Sequence, residues 1–215
     1  ISAGCTNCYA SEWNAHKYGT GLAFDVRTRP KVEHWLNERE LKEWGKAKYA
    51  GKRCFVSDMT DMFGEWVSDD WLGEIFGAMA MAYERAVEND VKPPVFQLLT
   101  KRPERALRLL TDDIFFEDVV EVCAGTYGWG ATPSEWPLPN VWLGVSVEDQ
   151  EQAEKRIPIL RECPAVVRFV SYEPALGPVD LVPYLSPVIG GVGDFHGDER
   201  PVTMYMERPA LSWVI

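Results

Sequence analysis

The sequence predicts an α/β fold, a parallel sheet closed at least in part into a β/α barrel, on three observations. Four short segments share one grammar: an apolar run, then Ser or Thr, then charged or turn residues. Their runs are nearly continuous rather than alternating, which suits strands buried on both faces. Helical periodicity fills the gaps between them, and strand–helix–strand alternation forces crossovers and therefore parallel pairing.

The strand segments are Arg53-Cys-Phe-Val-Ser-Asp58, Val95-Phe-Gln-Leu-Leu-Thr-Lys-Arg-Pro103, Val141-Trp-Leu-Gly-Val-Ser-Val-Glu148 and Val166-Val-Arg-Phe-Val-Ser-Tyr-Glu-Pro174. Ser212-Trp-Val-Ile215 begins another. Ser68 reads as a helix N-cap, with Asp69 and Asp70 placed to favour the helix dipole. Behind it Leu72, Ile75, Phe76, Met79, Tyr83 and Val87 recur at helical spacing, and Asn89-Asp90 ends the run. Shorter helices fit Glu104 to Leu110 and Asp149 to Arg156, with Pro158 starting a new turn. Residues 112–140, with their glycines and prolines, read as an insertion, and 183–210 as a long loop. A further helix is expected from Asn7 to Tyr18. The whole of 1–215 reads as one domain, with residues expected to be missing at both ends.

Composition narrows the function. With 46% apolar residues and 12% aromatics, a chain of this length buries a sizeable core. The formal net charge of −11 argues against bulk binding to duplex nucleic acid. No run of about 18 or more apolar residues occurs, so no membrane span is expected. Five cysteines at irregular spacing do not read as a disulfide framework and favour the reducing cytoplasm.

In parallel α/β folds, chemistry gathers at the carboxyl ends of the strands. Here that edge receives Ser57, Asp58 and Asp61, then Thr100, Lys101 and Arg102, then Ser146 and Glu148, then Tyr172 and Glu173. Strands often end in polar residues merely because they reach the surface. Four segments delivering charged and hydroxyl groups to one rim favour a site there.

The second signal is Gly4-Cys-Thr-Asn-Cys-Tyr9. A lone C-x2-C serves zinc knuckles, thiol pairs and iron–sulfur sites alike. Cys54, Cys123 and Cys163 supply no second pair and read as packing residues. An incomplete ligand set near the first residue suggests a further cysteine upstream. Three thiolates on a [4Fe–4S] cluster leave one iron open for S-adenosylmethionine.

Five segments carry a resemblance. Cys5-Thr-Asn-Cys-Tyr-Ala10, Phe55-Val-Ser-Asp-Met-Thr-Asp-Met-Phe63, Phe96-Gln-Leu-Leu-Thr-Lys-Arg-Pro-Glu104, Leu138-Pro-Asn-Val-Trp-Leu-Gly-Val-Ser-Val-Glu-Asp149 and Arg168-Phe-Val-Ser-Tyr-Glu-Pro174 resemble the phage gene-product thirty-seven/sixty-eight family. That family of phages and bacteria is regarded as radical-SAM-like. The resemblance implies a partial β/α barrel of radical-SAM type, a third cysteine upstream of Cys5, a [4Fe–4S] cluster and S-adenosylmethionine.

The expected roles follow charge and position. Cys5 and Cys8 ligate the cluster; Asp58 or Asp61 holds the amino group of S-adenosylmethionine, and Lys101 or Arg102 its carboxylate. Ser146 and Glu148 bind the ribose hydroxyls, while Glu173 with Tyr172 faces a small-molecule or modified-nucleotide substrate. Two rivals stand beside this reading. One is a non-catalytic phage interaction protein with Tyr127, Trp129 and Trp136 as its partner surface, the other a nucleotide- or DNA-modifying lyase.

Overall fold

Helix α1, Asp69–Glu88, shows how local sequence sets the frame of the computed structural model. The Ser68 hydroxyl accepts the Trp71 N–H, and Asp69 and Asp70 stand in the first turn. Leu72, Ile75, Phe76 and Met79 are buried along one stripe, whereas Val87 at its far end is 54% exposed, against the expectation that it joins them. The helix stops at Asn89, followed by Asp90 at φ 53°. The structure describes residues 46–57, 60–125 and 133–185, and the backbone of three short strands at 188–191, 205–208 and 213–214.

The strands are β1 (Arg53–Val56), β2 (Val95–Thr100), β3 (Val141–Val147), β4 (Val167–Tyr172), β5 (Val188–Gly191), β6 (Tyr205–Arg208) and β7 (Trp213–Val214). Between them lie α1, α2 (Pro103–Leu110), α3 (Asp113–Gly125) and α4 (Gln150–Glu162). One five-stranded sheet runs β1-β2-β3-β4-β7, with every pair parallel. An α/β fold on a parallel sheet is therefore what these residues form.

Three expectations change. Residues 112–140 are not a bare insertion: α3 fills their first half, burying Phe115, Val119 and Cys123 at four-residue steps. It packs closely on α1, where a Cβ on Gly77 would lie 2.6 Å from Val122. Trp136 turns inward, its ring 5.2 Å from Phe116 and 6.2 Å from Phe76, with Nε1 donating to the Leu110 carbonyl. It is therefore core rather than partner surface; Tyr127 and Trp129 lie outside the described residues.

Within 183–210, β5 and β6 form an antiparallel pair instead of an unbroken loop. Pro158 lies inside α4 rather than opening a new turn. An interior proline costs about 3 kcal/mol. Burying Ile157 and Leu160 completely, at about 1.5–3 kcal/mol each, offsets it.

Among the described residues, the main buried cluster lies on one side of the sheet. Register places Phe96 and Leu98 beside Val141, Leu143 and Val145, and these beside Arg168 and Val170. Their apolar side chains join Leu72, Phe76, Leu109, Phe115, Ala153 and Ile157 from all four helices in one buried cluster. Phe55, Leu99, Trp142 and Phe169, on the opposite face, lie outside that cluster. A sequential strand order with right-handed crossovers explains this, because each crossover then puts its helix on the same face.

Among the described residues, no helix is long and apolar enough to cross a membrane.

Candidate functional site at the carboxyl edge of the sheet

Strand alternation sorts the rim residues onto two sides. Thr100 and Tyr172 belong to the helix-covered face. Lys101, Glu148 and Glu173 each stand one residue past the end of their strand, and continuing the alternation of Leu99, Ser146 and Ser171 assigns them to the opposite, inner face. Two charged clusters result, one on each side.

On the helix side, Asp61 is the hub. Its Oδ1 accepts from the Phe63 N–H at 3.0 Å and the Thr100 hydroxyl at 2.8 Å. Its Oδ2 accepts from the Lys101 N–H and the Arg102 guanidinium, each at 2.9 Å. Two donors on each oxygen match the acceptor capacity of a carboxylate. Asp61 thus ties the loop after β1 to the end of β2. Arg102 also lies 4.7 Å from the Trp66 ring centroid, and the Trp66 Nε1–H donates to Thr60. The loop begins at Ser57, φ 64°, a left-handed conformation that a non-glycine residue adopts only at a cost of about 1–3 kcal/mol. Asp58 lies outside the described residues.

On the inner side, Glu148 is fully buried between two cations. Lys101 Nζ pairs with Oε1, and Arg156 Nη1 pairs with Oε2 at 2.9 Å. The same Arg156 nitrogen donates to the Ser146 carbonyl at 2.6 Å. Leu176 N–H donates to the Glu148 carbonyl at 2.8 Å, fixing the backbone there. Lys101 is the outermost of the three, its side chain 27% exposed. Ser146, expected with Glu148 at a ribose, is buried as Glu148 is.

Tyr172 and Glu173 part company. The Tyr172 hydroxyl donates to the Gly177 carbonyl, closing the loop after β4. Glu173 is exposed on the inner side. Lys101, Glu148 and Glu173 share one end of the sheet, as their common grammar implies, and the structure brings the first two into contact. Arg156 is the residue that sequence reading missed. Its signal was a charge set among Ala153, Ile157 and Leu160 at helical spacing.

Cys5 and Cys8, with the helix expected from Asn7 to Tyr18, lie outside the described residues. The described cysteines are unsuited to metal. Burial pushes the Cys123 thiol up to about 11 and the Cys163 thiol up to about 12. Cys54 is also raised by burial and stands near the amino end of β1, away from the rim. Among the described residues, no group of three or more His, Cys, Asp or Glu is gathered to hold a metal ion.

The chain belongs to a family whose description is "Protein of unknown function (DUF5131)", which matches it over residues 1–215. No curated protein and no solved structure matches it.

Proposed function

We propose that this family member is a radical S-adenosylmethionine iron–sulfur enzyme working at the inner carboxyl rim of a partial β/α barrel on a small-molecule or modified-nucleotide substrate. The observation that carries the reading is topological. Among the described residues, strand order follows chain order, and the four helices share one face of the sheet. Such single winding differs from doubly wound sheets, whose strand order reverses at a switch point, and it is the winding that barrels use. It leaves an inner face whose carboxyl end holds Lys101, Glu148 and Glu173.

The donor set bears on the cluster. Cys123 and Cys163 favour the neutral thiol, and Cys54 stands near the wrong end of its strand, so Cys5 and Cys8 are the two candidates within the 215 residues. A [4Fe–4S] cluster with an open iron takes three thiolates, so this reading needs a third ligand from beyond residues 1–215. Cluster and S-adenosylmethionine would together supply one-electron chemistry that side chains lack.

The chain's own residues then divide the remaining work. Lys101, recessed on the inner side, offers its ammonium to a carboxylate. Asp58, next to the strained Ser57, is the residue left to meet an amino group. Glu173 faces the substrate. Asp61, Glu148 and Tyr172 hold the rim in shape.

Anaerobic reconstitution of the intact protein tests this. Iron and sulfide should be taken up with absorbance near ~400 nm, as thiolate-ligated iron gives, and 5′-deoxyadenosine should form on reduction with S-adenosylmethionine. Cys5→Ala combined with Cys8→Ala should abolish both without changing the fold. The same iron and sulfide content in the double variant would sink the reading.

A further inference from the structure

We infer that Arg156 is a positioning residue: reaching over from the helix side, it fixes the Glu148 carboxylate and, through Glu148, sets where the Lys101 ammonium sits at the inner rim. The inference rests on the preceding reading only in making Lys101 a ligand contact, and its first test needs no ligand.

The geometry is that of a relay with two links. Helix α4 is capped by Asp149, whose carboxylate accepts the Gln152 N–H, so the helix starts at the carboxyl edge directly after Glu148. Side chains on a helix lean towards its N-terminus. Arg156, two turns in, therefore leans back over the end of β3. It is 5% exposed amid Ala153, Ile157 and Leu160, a setting in which an aliphatic side chain would pack without a charge to place. Its two hydrogen bonds from Nη1 are both directed at β3, to the Ser146 carbonyl and Glu148 Oε2.

Glu148, one residue past β3, is held at its carbonyl by the Leu176 N–H, which leaves its side-chain torsions to be set. Arg156 takes one carboxylate oxygen and thereby turns the other to Lys101.

The rival is that Arg156 merely caps the Ser146 carbonyl and stabilises the turn. Acetylation with an N-hydroxysuccinimide ester at fixed pH, read by peptide mass spectrometry, separates the two. The rate at Lys101 is scored against exposed Lys155 in the same sample. Glu148→Gln should raise the relative rate at Lys101 severalfold by removing its partner's charge. Arg156→Met should do the same by releasing the carboxylate, and Arg156→Lys should stay near wild type. Combining Glu148→Gln with Arg156→Met should match Glu148→Gln alone, because both act through one carboxylate.

If Arg156→Met lowers the melting temperature yet leaves the relative rate at Lys101 unchanged, Arg156 is only a cap and the inference is wrong. Additive rates in the double variant would overturn it too. Should Arg156→Met fail to fold, the double variant, with neither charge buried, supplies the comparison with Glu148→Gln. Equilibrium dialysis of S-adenosylmethionine against the reconstituted protein forms the second arm. No binding by wild type would end the functional reading while leaving the labelling result standing. Binding that Lys101→Met weakens, and Arg156→Met weakens no further in combination, would join the two.

Discussion

The two faces of the parallel sheet are built from the same strands, yet they follow different rules. The helix-covered face is a continuous apolar surface in which Phe96, Leu98, Leu143, Val145 and Val170 meet four helices. The inner face mixes Phe55, Gln97, Trp142, Ser146, Phe169 and Ser171, and ends in a lysine and two carboxylates. One face is organised by burial against the helices, and both carry a charged cluster at their carboxyl end. Stability resides mainly in the first.

The comparison can be broken at several points. The largest effect is expected for Glu148→Ala, which leaves buried Arg156 and half-buried Lys101 without their shared partner. Urea unfolding should show a loss of about 3–5 kcal/mol. A loss below that of a surface substitution would mean that the inner cluster is not a buried network. Next comes Leu143→Ala on the helix side, 1% exposed, expected to lose about 2–5 kcal/mol by cavity formation. The matching change on the inner face, Phe55→Ala, starts from a side chain 51% exposed and should cost distinctly less. Equal losses at Leu143 and Phe55 would erase the distinction between the faces.

Smaller effects sharpen it. Gly144 lies on the inner face beside Phe169, where an added Cβ would sit 2.5 Å from the ring. Gly144→Ala should therefore cost about 1–3 kcal/mol through overpacking, and thermal melting reads it.

The last effect depends on pH. Cys163 is raised from 9.0 to about 12 and Cys123 from 9.0 to about 11. Above pH 9 the unfolded chain releases these protons while the folded chain keeps them, so the unfolded state binds fewer and stability falls as pH rises. The stabilisation is complete below 9 and is lost up to about 11 for one thiol and about 12 for the other. One pH unit above 9, the loss is about 1 kcal/mol per thiol. Cys163→Ala should lower stability at neutral pH but flatten the alkaline slope, which melting curves across pH will check.

The strands and their direction were legible because apolar runs ending in polar residues have few other uses. The two faces were not. In β3, Val-Trp-Leu-Gly-Val reads as apolar throughout, and only the register with β2 and β4 reveals which residues meet the helices. Helix α3 was hidden by the glycines and prolines that follow it, although Phe115, Val119 and Cys123 carry its period. The rim residues Lys101 and Glu148 were named from their position, but their pairing was not, since contact between side chains 47 positions apart depends on the sheet. The saturation of Asp61 was likewise invisible, because three of its four donors come from β2 or the residues just after it.

Strand order that follows chain order also bears on how the molecule is made. Each of β2, β3 and β4 pairs with the strand synthesised immediately before it. As the polypeptide leaves the ribosome, every new strand–helix unit then meets a partner edge already in place, and none must wait for a strand still inside the tunnel. Short separations between pairing segments keep the entropy of loop closure low at each step. Growth in this manner adds each new strand at the edge left by the one before it. The exception is β7, which pairs with β4 across the intervening β5 and β6 segments of the chain.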